Sequence, residues 1–181
     1  MNSVKIMNNQ PEEFRIGMAS SADREEVLAL YALQKGREFC PWTETYPAPE
    51  NFEDDVARDA LFVMRISSGE IVGAVSIEND PDVDVLPCWS SALQPAGEIS
   101  RLAVHPQYQN RGLARKLMAF IMEELCRRGY RSIHLLVNCR NVKALRSYAA
   151  FRFDTVGECD MYSQHFLCYE KALEPQPETF P

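Results

Sequence analysis

The chain has 181 residues, of which 46% are hydrophobic and 25% charged, and carries a net charge of −7. These are the values of a folded domain with enough chain for a real core, and they exclude a disordered or collagenous protein. No apolar run approaches the roughly 20 residues that cross a bilayer, so no membrane span is expected, and the acidic balance argues against nucleic acid as the main partner.

In chain order, Glu13 to Ala19 reads as a strand with Phe14, Ile16 and Met18 on one face. Ser20 to Asp23 offers a helix cap, and Val27, Leu28 and Tyr31 carry a first helix towards Gly36. Cys40 to Asn51 holds three prolines and two large aromatics, which suits an ordered loop, and Phe52 to Arg58 a short helix. Residues 60–66 and 71–78 flank Ser67-Ser68-Gly69-Glu70 as a hairpin. Asn79 to Gly97 is a long loop with Asp80, Asp82, Asp84 and Trp89. Loops of that length inside a domain tend to be functional.

A strand then opens at Glu98, with Ile99, Leu102 and Val104 apolar, and His105-Pro106 stops it. Leu113, Leu117, Phe120, Ile121 and Leu125 recur on one helix face. Ser132 to Val137 is an apolar strand, Val142 to Ala150 a short helix, and 153–156 and 164–171 two closing strands. No repeat or linker divides the chain, so one domain over 1–181 is expected, with a core of about 14–172 and a frayed tail over 173–181. The six cysteines contain no C-x-x-C pair and the three histidines are dispersed, which leaves no metal-site spacing. With no secretory signal in MNSVKIMNNQ, a cytoplasmic protein with reduced thiols is expected.

Strand, glycine turn and helix N-terminus in that order make an anion site, because the first helical N–H groups lack internal partners and the dipole is positive there. Arg101 to Arg152 holds 11 Lys and Arg against two glutamates, whereas the remainder of the chain has a surplus of 16 acids. The basic segment suits a phosphate-bearing ligand, and the acidic remainder suits either a cationic partner or solubility.

The turn reads Gln109-Asn110-Arg111-Gly112-Leu113-Ala114, which is neither a Walker A loop nor G-x-G-x-x-G. It matches Q-x-x-G-x-[G/A] and thereby resembles the pyrophosphate loop of the GCN5-related N-acetyltransferases (GNAT). Asn141-Val-Lys-Ala144 followed by Tyr148 matches that family's N-x-x-A-x-x-x-Y string. The resemblance implies an α/β (α+β) fold, a mixed and mostly antiparallel sheet with splayed central parallel strands at about 99–104 and 132–137, flanked by helices. It implies acetyl-CoA as co-substrate, with no metal. Leu102, Ala103 and Val104 would pair with the pantetheine arm, and Gln109, Asn110, Arg111, Gly112, Leu113 and Ala114 would hold the pyrophosphate. Asn141 would bond the pantetheine side, and Tyr148 would protonate the leaving thiolate.

Glu98 stands where the histone-acetylating branch places its base, six residues before Val104. Period-two alternation puts 98, 100, 102 and 104 on one face unless a bulge intervenes. Its alternative role is a surface carboxylate or a partner for Arg101. Trp42, Tyr46 and Trp89 fall on loops that border the acceptor cleft in the family, where they either wall the acceptor or anchor their loops. The expected activity is transfer of an acetyl group to a primary amine of a small molecule or protein in a ternary complex; the alternatives are a silent acyl-CoA sensor of the same fold and an interaction module. A homodimer is compatible with the sequence. One departure stands out: Arg152 occupies the glycine position of the family's Y-x-x-x-G-F.

Overall fold

The computed structural model describes residues 13–38 and 40–174. The elements are β1 (Arg15–Met18), α1 (Arg24–Ala32), α2 (Pro49–Ala57), β2 (Leu61–Arg65), β3 (Ile71–Glu78), α3 (Pro81–Asp84), β4 (Ala96–Val104), α4 (Leu113–Arg127), β5 (Ser132–Asn138), α5 (Val142–Ala149), β6 (Asp154–Met161) and β7 (Gln164–Ala172). The seven strands form one sheet in the order β1-β2-β3-β4-β5-β7-β6. Every neighbouring pair is antiparallel except β4 and β5.

Two cores cover the sheet. On one face α4 lays Leu113, Leu117, Met118, Ile121 and Leu125 against Ile99, Val104, Ile133 and Val137. Burying each such side chain contributes about 1.5–3 kcal/mol, so this amphipathic stripe is the main clamp on the central strands. On the other face α1 and α2 bury Val27, Leu30, Tyr31 and Phe52 against Leu61, Val63 and Ala103. Gly97 is required where β4 meets α4, because a Cβ there would lie 2.4 Å from Leu125 Cδ2.

Several boundaries differ from the sequence expectation. The second helix starts at Pro49, three residues early, because proline at the first helical position loses no hydrogen bond and its φ is already helical. The loop after residue 78 contains α3, whose first turn is capped by the Asp80 carboxylate accepting the Asp82 N–H at 3.0 Å. The central strand begins at Ala96, which puts Glu98 inside it and not at its start. The first helix ends at Ala32 in turns that reach Gly36 (φ 71°), and the closing strands extend to Met161 and Ala172.

The alternation expected along β4 is broken. Ala74 pairs with Ala103 and Ser76 with Ser100, so β4 carries one extra residue, and Arg101 within it has φ 48°. This bulge turns Arg101 and Ala103 towards α1 and α2, the side on which Ser100 also lies, while Leu102 and Val104 face the α4 core. Glu98 therefore does not share a face with 102 and 104.

Arg152 takes the left-handed conformation (φ 55°) that glycine would adopt more easily, and Tyr148 remains buried beside it, its ring 6.2 Å from Phe153. Leu173 is buried and its N–H bonds Arg131 O at 2.9 Å, so the expected fraying does not begin there. The readings made on residues 1–12 and 175–181 lie outside the described residues. Among the described residues no helix is long and apolar enough to cross a membrane.

Candidate active site

β4 and β5 pair over three positions only, Ala96 with Ser132, Gly97 with Ile133 and Glu98 with His134. Beyond them the strands diverge: β5 stays paired with β7 along its whole length, and β4 keeps β3 on its other side. The β4 edge over 99–104 has no β5 partner, and its peptide groups border a cleft of about 1050 Å³. Glu98, Tyr148 and every candidate cofactor residue except Arg111 line this cleft. The Arg111 guanidinium lies over the Tyr108 ring, 4.9 Å from its centroid. An extended thioester arm laid against this edge would complete the ladder as an added strand does.

At one end of the cleft, Asn110 (φ 62°) and Gly112 (φ 77°) are both left-handed, and Gly112 is the N-cap of the 15-residue α4. Among the described residues no side chain caps this helix, and the Lys116 N–H bonds Gly112 O at 3.1 Å. The Leu113, Ala114 and Arg115 N–H groups ahead of it have no carbonyl within the helix to bond and can meet an anion, with the helix dipole behind them. The Gln109 side chain braces the turn: its amide donates to Val104 O at 3.0 Å and its Oε1 accepts from Arg37 at 3.1 Å. A Cβ on Gly112 would enter open space. Gly112→Val is therefore expected to leave the core intact but to strain the turn, because a β-branched residue disfavours positive φ, and to push a methyl pair into the anion's approach. Calorimetry with coenzyme A should show binding abolished; an unchanged affinity would remove the loop from the site.

α5 supplies the far wall. Asn141 is its N-cap, its Oδ1 accepting the Ala144 N–H at 3.1 Å, which leaves its amide NH₂ for a ligand. Two turns on, Tyr148 is 8% exposed, and burial pushes its phenol up to about 12. The hydroxyl is thus protonated throughout the neutral range, the form a proton donor needs.

The other end of the cleft is acidic. Glu98 is 6% exposed and its Oε2 has no hydrogen-bond partner. Burial, then Glu78, Asp80 and Asp84, push its carboxyl up to about 9, against the pull of Arg101. Behind it Arg101 binds Asp55 through two contacts, at 2.7 and 3.0 Å, and also meets Glu78 and the Tyr46 hydroxyl. Asp55 accepts from Ser76 Oγ at 2.6 Å and from Arg58 at 2.7 Å. Asp84, Glu98 and His134 bring one ligand atom each to within 4.8 Å of one another. Of the loop aromatics, Trp42 and Tyr46 line the cleft. Trp89 instead anchors its loop, stacked on His134 at 4.4 Å with its indole N–H bonded to Val83 O at 2.7 Å.

The profile of the Acetyltransferase (GNAT) family matches residues 27–153. The chain belongs to the GNAT family. It is 29% identical over 136 residues to an acetyltransferase of Pectobacterium atrosepticum, an overlap that covers 74% of this chain and 83% of that protein. Its fold is similar to the ribosomal-protein-S18-alanine N-acetyltransferase of Escherichia coli (TM-score 0.68, 16% identity, 93% of this chain and 99% of that one). It is equally similar to the yncA protein of Salmonella typhimurium, solved with its cofactor acetyl-CoA (TM-score 0.67, 18% identity, 93% and 99%).

Within this GNAT domain, sequence reasoning missed Asp55, Glu78 and His134. Asp55 and Glu78 were read as ordinary positions of a short helix and a hairpin, and His134 as one residue of an apolar strand. Each gains its meaning from a partner at least 21 residues away, at Ser76, Arg101 or Glu98, and no local spacing signals such pairs.

Proposed function

We propose that this GNAT protein moves an acetyl group from acetyl-CoA to a primary amine of a small molecule or a protein, by direct attack in a ternary complex. The observation that carries the reading is that one cleft, opened by the splay of β4 from β5, holds an uncapped helix N-terminus, a protonated buried tyrosine and a buried unpaired carboxyl. In this reading the amides of Asn110 to Ala114, with Gln109 bracing the turn, hold the pyrophosphate, and the open edge at Leu102, Ala103 and Val104 holds the pantetheine arm. The Asn141 amide adds a bond to that arm. Tyr148 donates to the departing thiolate, and Glu98 takes the proton from the acceptor ammonium.

Glu98 holds its own proton up to about pH 9 when the cleft is empty of cations. An ammonium beside it sets an opposite charge against the like charges of Glu78, Asp80 and Asp84 and draws it towards the carboxylate form. The kcat/KM of the wild type is expected to rise with pH and level near 9, since that parameter reports free-enzyme groups. Glu98→Gln keeps the shape but cannot accept a proton. Its rate should drop at neutral pH and recover partly as solvent supplies neutral amine, whose ordinary pKa is about 10.4.

The same substitution should raise stability at neutral pH. The folded state keeps a proton that the unfolded chain releases above about pH 4.3, so stability is lost as pH rises from there towards 9, and glutamine has no such loss. Thiol release from acetyl-CoA with a panel of polyamines, amino acids, aminoglycosides and peptides tests the reading as a whole. Binding of coenzyme A without release to any of them would leave a sensor; a wild-type pH profile in Glu98→Gln would assign the proton to another group.

A further inference from the structure

Acetyl transfer from a thioester to an ammonium forms a C–N bond, breaks a C–S bond and leaves one proton over. The ammonium gives up two N–H protons, the thiol takes one, and the other has to reach solvent in every turnover. Glu98 is 6% exposed and opens only to the cleft, which a seated acceptor occupies.

We propose that His134 and Asp84 carry that proton from Glu98 to the surface. Glu98 and His134 are the last paired residues before β4 and β5 part, so the imidazole lies beside the carboxyl from the next strand. Donor atoms of Glu98, His134 and Asp84 are mutually within 4.8 Å, and His134 Nε2 is 3.5 Å from Asp84 Oδ1. Gaps of this size are closed by a small shift or by one bridging water. His134 is 1% exposed, yet among the described residues neither ring nitrogen has a hydrogen-bond partner, and buried polar atoms in that condition call for an explanation. Its place is held from one side by the stacked Trp89, which is itself tied to Val83 of α3. The same α3 carries Asp84, whose side chain is 47% exposed and forms the outlet.

The remaining charges that face this route are Glu78 from β3, Asp80 before α3, Arg101 from β4 and Glu170, which pairs with His134 from β7 and accepts the Ser90 N–H. Tyr162, from the β6–β7 turn, closes on Asp80. Burial holds the His134 imidazole down to about 4, so the ring rests neutral and relays by taking a proton at one nitrogen as it gives one up at the other, with the surrounding acids opposing the cost of the passing charge. His134 and Asp84 act through Glu98 and are positioning residues; Glu98 alone meets the acceptor. The proposal rests on the acetyl-transfer reading.

The test is a proton-shuttle experiment. His134→Phe keeps a flat ring against Trp89 without a nitrogen, and Asp84→Asn removes the outlet at an exposed site where folding is not in question. In both, kcat in dilute buffer should fall on the order of tenfold, less than the roughly 10²–10⁴-fold of a group that exchanges a proton with the substrate itself, with KM for acetyl-CoA unchanged. Added imidazole should restore kcat in the variants and leave the wild type unaffected. Independently of turnover, the ring ¹⁵N resonances of His134 should titrate differently in Glu98→Gln and in Asp84→Asn. A kcat insensitive to buffer in both variants, or a His134 titration indifferent to both neighbours, overturns the proposal. So does one tightly bound equivalent of Zn²⁺ lost in Asp84→Asn, which would make the three residues a metal site. Absence of thiol release from the wild type with every amine defeats the acetyl-transfer reading instead, and the resonance experiment still decides whether the three groups share a proton.

Discussion

Arg101→Ala is expected to lower stability by about 3–5 kcal/mol, the cost of breaking a buried ion pair by removing one partner. The guanidinium is the centre of a cluster: Asp55, itself fully buried, Glu78 and the Tyr46 hydroxyl all turn to it. Alanine would leave Asp55 with Arg58 and Ser76 only, and Glu78 with Ser100 Oγ and the Asn79 N–H, each at 3.0 Å, and a longer contact to Arg58 at 3.7 Å. In a domain of this size that loss corresponds to a fall in Tm of about 6–20 °C. The deficit should narrow in acid, where Asp55, already raised by burial, takes a proton and needs no partner. Thermal unfolding at neutral and acid pH checks both statements. An unchanged Tm at neutral pH would show that Arg58 alone compensates Asp55.

Tyr148→Phe should lower kcat by about 10²–10⁴-fold, the usual contribution of a positioned acid–base group, while coenzyme A affinity and Tm stay close to wild type. The ring does the packing, against Phe153 and the α4 core, and phenylalanine keeps it. Only the hydroxyl is removed, and with it the proton that burial retains across the neutral range. Steady-state kinetics with calorimetry separate the two roles. Near-normal turnover would leave Tyr148 as a core residue and pass proton donation to another group.

What was legible in the sequence was what is local. Gln109 to Ala114 and the amphipathic stripe of α4 are short-range signals, set by helix periodicity and by the one residue, Gly112, that tolerates the left-handed turn cheaply. Asn141 and Tyr148 came from the family's N-x-x-A-x-x-x-Y string, and both line the cleft. The strand order and the splay were implied by the family likeness, and no single segment of this chain dictates them. The bulge was not visible, because arginine at a positive φ contradicts its own preference and is held there by Asp55 and Glu78, 46 and 23 residues away. Glu98 was placed by its offset from Val104, but its burial among other acids depends on α3, a turn that was read as loop.

The three-residue seam between β4 and β5 has a mechanical consequence. The sheet is two plates, β1 to β4 and β5 to β7, joined along one corner, with α4 as the strap across the joint. Strands in an intact sheet stand about 4.8 Å apart. If, as proposed, the thioester arm lies in the wedge between these plates, an acyl group thicker than that wedge would have to part them. The enzyme would then gauge its donor by the strain that donor puts on the corner where Glu98 and His134 meet.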